Sequence, residues 1–202
     1  YVQILQSVYK TKGDDFLANS LSVINRQVNS LTQLVTDLLD VSKIKSGALL
    51  LNTESFDLAL LIKETIEEMG HINPEYKISY SGDYAVTPIS GDRNRLGQVV
   101  VNFLTNAVKY SPERGKIVVS LTSNNTEVTV SVKDSGIGIN KQDQEKIFER
   151  FYRVEGKNEK TFPGFGIGLF IAATIIQKHK GSIAVKSEPG VGSVFYFTLP
   201  KN

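Results

Sequence analysis

The chain has 202 residues, 41% of them hydrophobic, with 23 Lys and Arg against 21 Asp and Glu for a formal charge of +2. That is enough for one domain with a sizeable core plus an appendage, and too nearly neutral for a nucleic-acid binder, which carries a marked basic excess. No run approaches the roughly 18 apolar residues of a membrane span and no signal peptide is visible, while the absence of cysteine excludes a disulfide frame or thiolate metal site and fits a reducing, cytoplasmic compartment. The first residue is Tyr1, so the chain is expected to be a piece of something longer, with any membrane anchor or sensor upstream.

Residues 1–9, YVQILQSVY, read as the tail of a helix. After the break at 10–15, apolar residues fall at Leu17, Leu21, Ile24, Val28, Leu31, Val35 and Leu38, in the 3.5-residue repeat of a coiled coil or bundle helix. Leu34, Leu39, Val41 and Ile44 widen the stripe toward its C-terminal end, as expected of a helix with more than one partner. The two helices are expected to form a hairpin turning at Gly13. One hairpin leaves its seam half covered, so a second copy is expected to complete a four-helix bundle; the other reading is an amphipathic helix lying on its own domain.

Ser46-Gly47 ends this helix and the composition changes, dividing the chain into 1–46 and 47–202. Leu49–Asn52 is a short apolar run. Ser55–Asp57 reads as a helix start, with Leu58, Leu61, Ile62, Ile66 and Met69 on one face and a stop at Gly70. His71, in the turn-forming HINPEY, reads as a loop residue. Tyr76–Tyr80 alternates as a strand does, and Ser90-Gly91-Asp92 punctuates the approach to a helix over Asp92–Tyr110. On that helix Leu96, Val99, Val100, Phe103, Leu104 and Ala107 cover most of the surface, while Asn102 and Asn106 stack one turn apart beside Lys109. An otherwise apolar helix therefore presents carboxamides and an ammonium in one place, either for a ligand or as a solvated stripe or loop cap.

Ser111-Pro112 stops the helix, and a hairpin follows, Ile117, Val119 and Leu121 alternating in one strand and Val128, Val130 and Val132 in the next, around a polar turn at Ser123–Thr126. The second strand runs into Asp134-Ser-Gly-Ile-Gly-Ile139. Glycines directly after a strand let backbone approach a flat or charged ligand, and a carboxylate there can accept from an exocyclic amine; a plain turn has the same pattern. Lys141–Tyr152 reads as a short helix carrying Phe148, Phe151 and Tyr152, and 153–163 shows no periodicity, as in a functional or disordered loop. Gly164-Phe-Gly-Ile-Gly-Leu169 opens an apolar helix, where glycines before the N-terminus make a phosphate cradle of backbone N–H groups at the positive end of the helix dipole. Strands at Gly181–Lys186 and Ser193–Leu199 close the chain around a turn at 190–192, and His179 reads as a helix C-cap.

Neither glycine motif is a P-loop or a dinucleotide fingerprint. In order, however, Asn102-x-x-x-Asn106-Ala-x-Lys109-Tyr110, Asp134-x-Gly136-x-Gly138, Phe148-Glu-Arg-Phe-Tyr-Arg153, Gly164-x-Gly166-x-Gly168-Leu169 and Gly192-Ser193 resemble the catalytic, ATP-binding region of bacterial two-component sensor histidine kinases. The resemblance covers roughly Thr53 to the C-terminus, and the leading helices resemble part of that family's dimerisation hairpin.

The resemblance implies an α+β fold, a two-layer sandwich of a mixed sheet on helices of the GHKL (Bergerat) type, preceded by a helical hairpin, with ATP held between the Asn helix and a mobile lid. It implies that Asp134 takes the adenine amino group, that Gly136 and Gly138 let backbone pass the ring, and that Ile139 and Leu169 wall it. Asn106 would hold Mg²⁺, Asn102 would sit by the γ-phosphate, Lys109 and Tyr110 would line the phosphate and ribose side, Arg153 would be the lid cation, and Gly164, Gly166 and Gly168 would cradle phosphates. Ser193 stands where the family usually has Thr. Related ATPases resembling gyrase and chaperones place a Glu base at Asn102; an amide cannot activate water, so transfer rather than hydrolysis is implied. The acceptor in such kinases is a His in a Ser-x-x-His-Glu type motif on the first hairpin helix, from which phosphate passes to an Asp on a response regulator. No such motif occurs here, and neither His71 nor His179 has its setting, so the fragment is expected to bind Mg·ATP without phosphorylating itself. An anti-sigma-like serine kinase and a non-catalytic, nucleotide-gated dimer scaffold are the alternatives.

Overall fold

The computed structural model describes residues 15–82, 85–111, 115–154 and 165–201. The chain divides into two compact units, Tyr1–Ala48 and Leu49–Asn202. In the first, one helix, α1, runs Asp15–Lys45. It ends where Gly47 takes a φ of +70° and the Ala48 N–H bonds the Lys43 carbonyl at 2.8 Å, the left-handed stop a glycine allows. The heptad residues lie along it largely uncovered: Ile24, Val28, Leu31, Val35 and Leu38 are 46–66% exposed. The Tyr1–Tyr9 helix and the turn at Gly13 lie outside the described residues.

The second unit runs β1 (Glu54–Asp57), α2 (Leu58–Ile72), β2 (Lys77–Ser81), β3 (Pro88–Gly91), α3 (Arg93–Lys109), β4 (Lys116–Ser123), β5 (Glu127–Lys133), α4 (Gly168–Lys178), β6 (Ser182–Glu188) and β7 (Gly192–Pro200). Five strands form one mixed sheet in the order β2-β4-β5-β7-β6, with β2 and β4 parallel and the other pairs antiparallel; β1 and β3 make a separate two-stranded ribbon. Strand alternation gives the sheet two unlike faces. On one, Ile117, Val119, Val128, Val130, Val132, Phe197 and Leu199 are buried. On the other, hydroxyls pair across strands, Ser120 with Ser131 at 2.7 Å and Thr129 with Thr198 at 2.9 Å.

The helices cover the apolar face. Leu96, Val99, Val100, Phe103 and Leu104 of α3 are fully buried, each contributing about 1.5–3 kcal/mol, and the Phe103 ring lies 5.5 Å from Phe195 and 6.1 Å from Phe197. Beside it α4 buries Ile171, Ala172, Ile175 and Ile176, and α2 buries Leu58, Leu61, Ile62 and Met69. The expected α+β architecture is present: a mixed sheet packed on helices, with a helix before it.

Two local expectations are corrected. Lys141–Tyr152 is not one helix but two 3₁₀ turns, Lys141–Asp143 and Lys146–Phe148. Tertiary bonds outbid the helical ladder: Gln144 Nε2 donates to the Ile139 and Ser187 carbonyls at 3.1 and 2.8 Å, and buried Asp143 accepts from the Tyr152 hydroxyl at 2.7 Å. Gly70 does not stop α2, which continues to Ile72 because the backbone N–H and side-chain amide of Asn73 both donate to the Met69 carbonyl. The ribbon β1–β3 was hidden as well, since four-residue strands hold too few residues to show alternation.

Candidate functional site

The site is built on α3. Its N-cap is Asp92, whose carboxylate accepts from the Arg95 N–H at 3.0 Å, and its C-cap is Tyr110. With one stripe of α3 locked into the core, the 3.6-residue period turns Asn102 and Asn106 onto a half-buried face. Asn102 Nδ2 donates to the Gly168 carbonyl at 3.0 Å, which seats the middle of α3 against the first residue of α4. The N-cap of α4, Ile167, makes no side-chain capping bond among the described residues, and a helix start carries unpaired N–H groups at the positive end of its dipole. Lys109 closes the last turn of α3 with its ammonium 4.8 Å from the Tyr110 ring centroid.

Opposite α3 lies the loop after β5. The Asp134 side chain is buried, and its Oδ1 accepts from the Gly136 N–H at 2.8 Å and the Ser193 N–H at 3.3 Å. Both of these bonds fall on the one oxygen. Burial, the largest influence, pushes the carboxyl above its ordinary 3.8, and the two N–H bonds pull it part of the way back. The loop is pressed onto the end of α3: the Ile137 N–H bonds the Tyr110 carbonyl at 3.1 Å, and a Cβ on Gly136 would strike that same carbonyl. Gly138 takes a φ of +70°, with the Glu188 carbonyl where a Cβ would stand, so both glycines are required by geometry.

A polar chain fixes this loop from behind. Ser187 Oγ accepts from the Ile139 N–H at 2.8 Å, donates to the Gly192 carbonyl at 2.8 Å and lies 2.9 Å from Ser193 Oγ. Gln144 bridges the same Ile139 and Ser187. The sequence reading missed both residues. Ser187 had a signal, being a hydroxyl at the register of the inward-facing Ile183 and Val185; Gln144 had none. Ser111, 1% exposed, holds the one buried side-chain oxygen or nitrogen without a partner among the described residues. It stands next to Tyr110, where the loop and α3 meet.

The structure thus brings together Asn102, Gly168 and α4 on one side and Tyr110, Asp134, Gly136 and Ser193 on the other, with Asn106 and Lys109 on the same α3. Ile139 and Leu169 are half-buried at the loop and at the start of α4. Gly166, with a φ of +67°, accepts through its carbonyl from the Phe151 N–H at 2.9 Å, holding together the two flanks of 155–164. Arg153, half-buried, stands on the first flank; Gly164 lies outside the described residues. His71 lies in the last turn of α2, and His179 is the C-cap of α4, where it bonds the Ile175 carbonyl.

Residues 91–202 match the family described as histidine kinase-, DNA gyrase B- and HSP90-like ATPase. The adaptive-response sensory kinase SasA of Thermosynechococcus vestitus is 39% identical over 177 residues, covering 86% of this chain and 46% of that kinase. Full-length ShkA in complex with AMPPNP superposes with a TM-score of 0.77 at 26% identity over 91% of this chain and 38% of that one. Histidine kinase ThkA in complex with the response regulator TrrA gives 0.69 at 29% identity over 89% of this chain and 51% of that one. The chain spans about half the length, or less, of the curated relatives it matches. It belongs to the histidine kinase-, DNA gyrase B- and HSP90-like ATPase family, as the catalytic, ATP-binding region of a sensor histidine kinase.

Proposed function

We propose that this unit binds Mg·ATP between α3 and the Asp134 loop and delivers the γ-phosphate to a His on a partner helix, for onward transfer to an Asp of a response regulator receiver domain. One observation carries the reading: Asp134, oriented by two backbone N–H groups on a single oxygen, lies in the loop bonded to the end of the helix that bears Asn102 and Asn106, and that helix meets the start of α4. The AMPPNP complex of ShkA and the regulator complex of ThkA support nucleotide and partner in turn.

In this reading Asp134 Oδ2 accepts from the adenine amino group, the Gly136–Gly138 backbone and the Ile139 and Leu169 side chains flank the ring, and Ser193 holds Asp134 through its N–H. The start of α4, with Gly164, Gly166 and Gly168, takes the phosphates, Lys109 and Tyr110 line the phosphate and ribose side, and Arg153 offsets charge on the transferring group. Asn106 fits Mg²⁺: its amide oxygen is hard, and among the described residues no trio of His, Cys, Asp or Glu could hold a metal, which suits an ion that keeps water and phosphate in most of its shell. The ion would neutralise phosphate charge. Asn102, an amide already donating to Gly168, has no base to offer a water.

The exposed heptad face of α1 is taken to be covered by a second copy, as a homodimer in the full-length protein. The protein is read as cytoplasmic, and no described helix is long and apolar enough to cross a membrane. Static light scattering of this chain at high concentration is expected to give twice the monomer mass; a monomer would contradict the dimer.

Asp134→Asn should weaken Mg·AMPPNP by about 10- to 150-fold in calorimetry, the loss of one charge-assisted hydrogen bond. Without nucleotide the same variant should melt no lower than wild type at pH 7. The wild-type carboxyl titrates above 3.8 when folded, so its stabilising contribution is present below the unfolded value and lost as pH rises through the folded one. The advantage of the variant should therefore fade on acidification toward 3.8; a variant that melts lower at neutral pH refutes this. Phosphotransfer is tested by mixing the protein with γ-labelled Mg·ATP and a homologous hairpin bearing the acceptor His. Acid-labile, base-stable label on the hairpin with negligible phosphate release supports the kinase. Acid-stable label would mean a serine kinase, bound ATP with no label a scaffold, and steady hydrolysis an ATPase.

A further inference from the structure

The helices α3 and α4 are tied to one another by hydrogen bonds at two places. One is the Asn102 amide on the Gly168 carbonyl, inside the site. The other is remote: the Asp92 N–H, at the N-cap of α3, donates to Nε2 of His179, the C-cap of α4, at 2.9 Å. The helices are therefore antiparallel, and the rungs are separated by about 15 Å along α3 and about 16 Å along α4 at 1.5 Å per residue, so neither helix is stretched to reach both.

Every polar group at the remote rung is committed. His179 Nδ1 lies 2.8 Å from the Ile175 carbonyl and must donate to it, which leaves Nε2 as the acceptor that Asp92 requires. The Asp92 carboxylate accepts from Arg95 N–H through Oδ1 and from Asn52 N–H through Oδ2, in the segment by which the chain enters this unit. The ring is seated against Gly91, where a Cβ would stand 3.0 Å from His179 Cδ2. Both helices are already packed on the sheet through their buried stripes, and the remote rung adds a directional tie at the end of the pair far from Asn102.

We propose that His179 is a positioning residue for the nucleotide: through Asp92 it sets the spacing of α3 and α4, and hence of Asn102, Asn106 and the start of α4 around the phosphates. The inference rests on the ATP-site reading above. The chemistry asks for an acceptor at the Nε2 position, which Gln can supply, and a donor at Nδ1, which Asn can supply.

The test is calorimetric titration of Mg·AMPPNP into wild type, His179→Gln and His179→Asn, with thermal melts of all three. Expected are an affinity within about twofold of wild type for the Gln variant and a loss of about 3- to 30-fold for the Asn variant, the range of couplings acting through packed elements, whatever the order of their melting temperatures. Equal affinities in the two variants, strong or weak, would overturn the positioning role and leave His179 a cap. Should His179→Asn fail to fold, Gly91→Ala, which crowds the ring off Asp92, takes its place: several-fold weaker binding is expected, and wild-type affinity overturns the inference. A wild-type chain that does not bind Mg·AMPPNP while staying folded would remove the nucleotide reading and the positioning role together.

Discussion

The close approach of the Asp134 loop to the end of α3 is the constraint from which the site follows. The Ile137 N–H reaches the Tyr110 carbonyl, and Gly136 packs where no side chain fits. That contact places a buried carboxylate from a strand end opposite an amide-bearing helix, and it joins the two layers of the sandwich at one point. The cost of burying Asp134 is visible in its raised proton affinity. It is offset in part by the Gly136 and Ser193 N–H bonds, which also fix the orientation of the carboxylate.

The core and the site use one helix for opposite purposes. The stripe of α3 from Leu96 to Ala107 is welded to the sheet through Phe103 and its neighbours, so Asn102 and Asn106 are held by a rigid element rather than a loop. The helix α4 runs antiparallel to it, its first residue meeting Asn102, while the Asp134 loop bonds the end of α3 at Tyr110. Asn102 is an amide, and its Nδ2 already donates to the Gly168 carbonyl.

Much of this was legible in the residues. The periodicity of α3 and of β4, β5 and β7 survives into the structure because both are half-buried elements, in which one face decides the pattern. The glycine positions were legible because steric exclusion is local and Gly alone satisfies it. Contacts set by tertiary hydrogen bonds were not legible. The segment 141–152 has the composition of a helix and is broken by Gln144 reaching across to Ser187 and by Tyr152 folding back onto Asp143 within the segment, and the ribbon of Glu54–Asp57 with Pro88–Gly91 pairs residues more than thirty positions apart. His179 was read as a cap, which it is; its second bond, to a residue 87 positions away, has no trace in spacing. Ser187 lay between, a hydroxyl at a core register whose polar neighbours only the fold brings close.

The central claim, that the volume between α3, the Asp134 loop and the start of α4 receives ATP, is tested most directly by an amide-resolved NMR titration with Mg·AMPPNP. The account predicts saturable shifts concentrated at Asn106, Tyr110, Asp134, Gly136, Gly138, Gly168 and Ser193, with the strands β2 and β4 little affected. Shifts confined to α1 or to the ribbon β1–β3, or none at millimolar nucleotide, would contradict it.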